Sequence, residues 1–204
     1  LGSNLLTTDT DAALTIAGVI SGSGGLTKEG AATLTLTGNN SFTGTTTVSE
    51  GLLQVGNGGT SGSLTGALVN NSQIEFNRSS NSIYGGVLTG NGTLAKLGAG
   101  TLSLTGNTTA FTGTTTISAG TLQIGDGGTT GSLGLGATTN DGTLAFNRSD
   151  ASSYAGVISG GGHLNIINGD KLAAWEYNSS SQLLGDLFVA KNDYANLYTT
   201  MKAR

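Results

Sequence analysis

The chain contains no cysteine and no proline. The first absence excludes disulfide staples, thiolate metal sites and thiol catalysis. It also suits a chain that crosses a membrane unfolded, since a closed loop would hinder threading. Charge is scarce as well. Asp, Glu, Lys and Arg make up 10% of the residues, the net charge is −4, and the eight Lys and Arg are scattered from Lys28 to Arg204. A nucleic-acid surface needs clustered phosphate contacts, so that function is excluded. Aromatic residues are 5% and do not alternate with cations. No apolar run reaches the roughly 18 residues of a membrane helix, so no membrane span is expected in this segment. The chain starts at Leu1 and shows no signal peptide within it, so it is expected to be a fragment or a processed piece.

What the chain has in excess is glycine, 36 in 204 residues, well above the ordinary share of about 7%. High glycine with low charge is not the disordered signature, because disordered chains are usually charged and lack regular apolar patterning. Here the apolar residues come in short alternating bursts: Leu34-Thr35-Leu36, Leu53-Gln54-Val55, Ile74-Glu75-Phe76. Alternation puts the apolar members on one face of a strand. Gly, Asn, Ser and Thr bound each burst and form turns. From Leu34 to Leu53 is 19 residues and from Leu53 to Ile74 is 21. That recurrence fits one coil of a β-solenoid stacked on the next, rather than hairpins joined by short loops.

A longer period overlies the coils. Residues 30–56, GAATLTLTGNNSFTGTTTVSEGLLQVG, return at 98–125 as GAGTLSLTGNTTAFTGTTTISAGTLQIG. The offset grows from 68 at Leu34 and Leu102, to 69 at Phe42 and Phe111, to 70 at Arg78 and Arg148. Each unit reads as roughly three coils. The expected interior is Leu34, Leu36, Val48, Leu53, Val55, Ile74 and Phe76, with Leu102, Leu104, Ile117, Leu122, Ile124, Leu144 and Phe146 in the second copy. Glycine is expected at tight corners, and asparagine at corners is expected to stack in ladders between coils.

The reading in domains is a repeat array over 1–164 and an atypical segment over 165–204. Units lie at about 14–29 (partial), 30–97 and 98–164. Leu6 takes the place of Ile74 in an earlier coil, unless residues 1–13 are foreign to the array. The third unit stops at Leu164: Lys171, Leu172 and Ala174 stand where Thr101, Leu102 and Leu104 should recur. The segment beyond holds the one Trp (Trp175) and the one Met (Met201). Leu184, Leu187, Phe188, Lys191, Ala195 and Tyr198 are spaced by threes and fours, which predicts a helix at about 182–202 with Ser180 or Ser181 as N-cap. It is either a cap over the last coil's unpaired edge or a tail foreign to the repeat, through a join or a shifted reading frame.

The pattern G-x-G-T-L-x-L-T-G-N, F-T-G-T-T-T-(V/I)-S and G-T-L-Q-(V/I)-G resembles the autotransporter-associated β-strand repeat, also called the passenger-associated transport repeat, over about residues 14–164. The first copy departs at Ala32 and Leu52, where the second has Gly100 and Thr121. The resemblance implies an all-β, right-handed parallel β-helix. It implies a surface-exposed passenger of a Gram-negative autotransporter, secreted across the outer membrane through a C-terminal β-barrel translocator that this chain lacks. It further implies a non-enzymatic stalk or adhesin scaffold that assists export, meeting host-surface or self-association partners.

Specific chemistry finds little support in the residues. His163 is the sole histidine and has no partners at metal-ligand spacing; no G-x-S-x-G elbow exists for a Ser-His-Asp triad. Asp126, in Gly125-Asp126-Gly127-Gly128, lacks the tandem pattern of calcium nonapeptides, and its counterpart is Asn57. Glu50, Glu75, Asp126, Asp141 and Asp150 lie far apart, whereas a polysaccharide-cleaving solenoid groups its carboxylates. Thr45-Thr46-Thr47 and Thr114-Thr115-Thr116 occur once per unit, too rarely for an ice-binding array. Asn77-Arg78-Ser79 and Asn147-Arg148-Ser149 have the form of glycosylation acceptors, and a structural reading competes: Arg covers the ring of Tyr84 or Tyr154 at a turn. No catalytic residue, cofactor site or metal site is assigned. The alternative function is a secreted carbohydrate-binding or carbohydrate-cleaving β-helix.

Overall fold

The computed structural model describes residues 2–9, 11–167 and 187–189. Within them the chain winds into a parallel β-solenoid, and no helix occurs. The first four coils alternate between two sheets. They supply β1 (Leu6–Asp9), β2 (Leu14–Ile16), β3 (Leu26–Glu29), β4 (Thr33–Leu36), β5 (Thr46–Val48), β6 (Leu52–Val55), β7 (Leu68–Asn70) and β8 (Gln73–Asn77). A third sheet opens with β9 (Ser82–Tyr84), followed by β10 (Leu88–Thr89), β11 (Thr93–Leu97), β12 (Thr101–Leu104), β13 (Thr115–Ile117), β14 (Thr121–Ile124), β15 (Thr138–Asn140) and β16 (Thr143–Asn147). The course ends with β17 (Ile158–Ser159), β18 (His163–Ile167) and β19 (Leu187–Val189). The first sheet runs β1-β3-β5-β7-β10, the second β2-β4-β6-β8-β11-β13-β15-β17, and the third β9-β12-β14-β16-β18-β19.

Alternation explains the strands. β4, β6 and β14 read half-buried, buried, half-buried, buried along their length. All fourteen residues expected inside are buried. Each fully buried Leu, Ile or Phe contributes about 1.5–3 kcal/mol. A thin core of this kind holds because each coil stacks its apolar pair on the pair below. Phe76 and Tyr84 add a tilted ring contact at 5.9 Å.

The structure refines the relation between repeat and coil. Leu26, Thr46, Leu68 and Leu88 stack in register on the first face, so three coils consume 62 residues. The sequence period is 68–70. The surplus carries the chain on by one face: β3 lies in the first sheet, and its sequence counterpart β11 lies in the second. Likewise β4 belongs to the second sheet and its counterpart β12 to the third. Each repeat therefore advances three coils and one face. Leu6 pairs with Leu26 as Ile74 pairs with Leu94, so residues 6–9 do belong to an earlier coil.

Two expectations change. The helix anticipated at 182–202 falls mostly outside the described residues, but its members Leu187–Val189 form a strand. They pair in parallel with β18, Leu164 against Leu187 and Ile166 against Val189. The free edge of β18 favours strand addition over the helical spacing of the local sequence. The three buried asparagines bond to backbone rather than to one another. Asn40, Asn70 and Asn140 each donate Nδ2 to a carbonyl of the following coil, at Ser63, Thr93 and His163. The backbone carbonyl is the better-placed acceptor because the next coil's corner turns directly above each amide.

Candidate functional site

The residues weighed for chemistry do not converge. His163 opens β18 and is exposed; its carbonyl accepts from Asn140, and its own N–H donates to Gly142. Asp126 is exposed on a loop. Glu50 is exposed at a corner, and Glu75 points outward from the middle of β8, where partial burial raises its pKa. Asp141 accepts from the Gly161 N–H, and Asp150 pairs with Arg148 at 2.9 Å. Among the described residues no three His, Asp or Glu side chains gather as a metal site would require.

The threonine triplets are split by the pleat. Thr46 and Thr115 are buried, and only their neighbours face out. Yet the outward column of the first sheet is Thr7, Thr27, Thr47, Val69 and Thr89. Successive coils draw these threonines from different parts of the repeat, which is why the spacing of the triplets concealed the column.

Arg78 does not cover the ring of Tyr84. Its guanidinium donates to the carbonyls of Gly62 and Thr60, both at 2.5 Å, and to Ser80 Oγ. Arg148 repeats this on Gly131 and Thr129. Each Arg closes the base of an excursion, Gly56–Gly62 or Gly125–Gly131, whose unpaired carbonyls compete for it better than an aromatic face does. The tyrosines serve elsewhere. Tyr84 Oη donates to the Gly66 carbonyl at 3.0 Å, and Tyr154 Oη donates to the Gly136 carbonyl. Burial raises the pKa of both phenols, with the Thr138 contact opposing it at Tyr154.

Sequence reading missed two buried lysines. Lys28 and Lys96 point inward, 0% and 2% exposed. Lys28 Nζ donates to the carbonyls of Glu29 and Gly30, both at 2.6 Å, and of Glu50 at 3.2 Å. Lys96 Nζ donates to Leu97 at 2.6 Å, Gly98 at 2.8 Å and Ala119 at 3.2 Å. An ammonium has three donors, and each cage supplies three acceptors, two from its own corner and one from the next coil. Burial lowers both pKa values: that of Lys96 falls to about 8, while Glu50 and Asp9 oppose the fall at Lys28. The signal was present in the strand parity, since Lys28 and Lys96 follow Leu26 and Leu94 by two.

Fold and surface together define a class: a repetitive parallel β-solenoid whose conserved internal pattern is spent on corners and core. Residues 26–55 and 94–124 each match the family model described as Passenger-associated-transport-repeat. A stretch of 74 residues is 50% identical to the adhesin BmaC autotransporter of Brucella suis biovar 1 (strain 1330). The match covers 36% of this chain and 2% of that much longer protein. No solved structure matches the chain.

Proposed function

We propose that this chain is a structural segment of an autotransporter passenger, held at the bacterial cell surface, where it serves as a stalk or scaffold for adhesion. The observation that carries the reading is the pair of matched transport repeats lying in one continuous solenoid core. The adhesin relative supports the same role. The separation of the carboxylates favours it over the carbohydrate-cleaving alternative. In this reading the partner is an outer-membrane β-barrel translocator, and the passenger presents distal segments to host surfaces or to other copies.

Solenoid stability is a sum of coil and nearest-neighbour terms. Folding outside the membrane can then proceed coil by coil, each docked coil opposing return of the chain. The test is to place residues 14–164, shortened by successive coils, ahead of an autotransporter barrel and measure the rate of surface appearance. The rate is expected to fall as coils are removed. A rate independent of coil number contradicts the export role.

A further inference from the structure

The apolar bursts of this chain are nearly interchangeable. Leu34 and Leu36, Leu53 and Val55, and Ile74 and Phe76 share one parity and are all apolar, so the core alone discriminates weakly against docking on the wrong predecessor. One inward column is different. On the first face Lys28, Val48 and Asn70 stack on successive coils, and Gly90 lies over Asn70. On the second face Lys96, Ile117 and Asn140 stack in the same order, and Gly160 lies over Asn140. The order is thus lysine, β-branched, asparagine, glycine, in two copies on two different faces.

We propose that this four-coil column is a registry device that fixes which coil docks on which as the solenoid assembles. The lysine and the asparagine each bond to the coil that follows. The lysine cage is completed by a carbonyl of the following coil, Glu50 or Ala119, 22 or 23 residues on. The asparagine donates Nδ2 to the coil after it, at Thr93 or His163, at 2.9 and 2.8 Å. Above the asparagine the backbone takes φ of +102° at Gly90 and +105° at Gly160, and a Cβ at either would overlap the asparagine carbonyl oxygen. Only glycine fits there. If Asn140 docked directly over Lys96, the corner above the cage would be residues 141–142 in place of 118–120, one residue shorter, so the carbonyl that completes the cage would be displaced, and an underbonded buried ammonium is costly. Burying lysine is a poor route to stability, and a single polar residue that sets register at a cost in stability is a known device. In both copies the asparagine Oδ1 is also buried without a hydrogen-bond partner, which fits a column that specifies order at the expense of stability.

The test uses the absence of native cysteine. Thr116→Cys with Thr139→Cys places thiols on neighbouring coils in register. Ala95→Cys with Thr139→Cys spans one intervening coil. Neighbouring strands lie about 4.8 Å apart and alternate ones about 10 Å, and a disulfide needs Cα atoms within about 7 Å. After refolding from denaturant, the otherwise unaltered chain is expected to oxidise in the first pair and not in the second. With Lys96→Met and Asn140→Leu added, which removes both polar constraints, the skipped pair is expected to oxidise at least about tenfold more. A double variant that regains β-structure yet links only the neighbouring pair overturns the proposal. Should the double variant not refold, Lys96→Met alone carries the same comparison, and an unchanged pattern in it overturns the proposal equally. A purely structural role would lower the melting temperature without moving the cross-link pattern.

Discussion

Lys96 shows how residue type and residue position can point in opposite directions. Its type says surface; its parity after Leu94 says interior, and the interior wins because three carbonyls await the ammonium. A pH dependence follows. The folded pKa is about 8 against an ordinary 10.5. Between those values the unfolded chain holds the proton and the folded chain does not, so stability rises with pH across that window. From pH 7.5 to 9.5 the gain is expected to be about 1 kcal/mol, allowing for relaxation and water around the charge. Urea midpoints at the two pH values check it, with Lys96→Met as control. A midpoint that falls between them, or a rise of equal size in the control, contradicts the prediction. Burial moves the phenols of Tyr84 and Tyr154 up, away from the pH values compared.

Among the elements, strands were legible and corners were not. Alternating bursts such as Leu102-Ser103-Leu104 carry their own parity, and every residue placed in the core from that parity is buried. Corners depend on partners about 20 residues away, which local pattern does not contain. Arg78 is the case in point: its neighbours in sequence include Tyr84, but its acceptors are Thr60 and Gly62. Arg78→Ala is expected to release the excursion Gly56–Gly62 from the solenoid wall. Amide exchange across residues 57–62 should speed up, with a global loss of about 1–3 kcal/mol for the stranded polar groups. Unchanged exchange in that loop would show that Arg78 does not hold it. The strand at Leu187–Val189 is the converse case, where helical spacing in the sequence yielded to the open edge of β18.

At the scale of the molecule, the period read from the sequence is real, but its geometric meaning needed the structure. Three sheets in all, and a step of three coils plus one face, mean that no face is reserved for any part of the repeat. A feature such as the Arg-closed excursion comes round to a new face in each copy, following β6 in the second sheet and β14 in the third. The interchangeable unit is therefore the repeat and not the coil. Repeat arrays behave as chains of nearest-neighbour contacts, so removing a whole unit should leave every junction as it was. Two deletions decide the matter by thermal unfolding. Removal of residues 30–97 joins Glu29 to Gly98 and preserves the repeat's order while turning the following chain by one face. Removal of residues 26–87 joins Gly25 to Leu88 and preserves the face while breaking the repeat's order. Cooperative unfolding near the parent temperature is expected for the first, and a lower or non-cooperative transition for the second. The reverse ranking would mean that the faces are specialised and that the step of one face per repeat does not govern this solenoid.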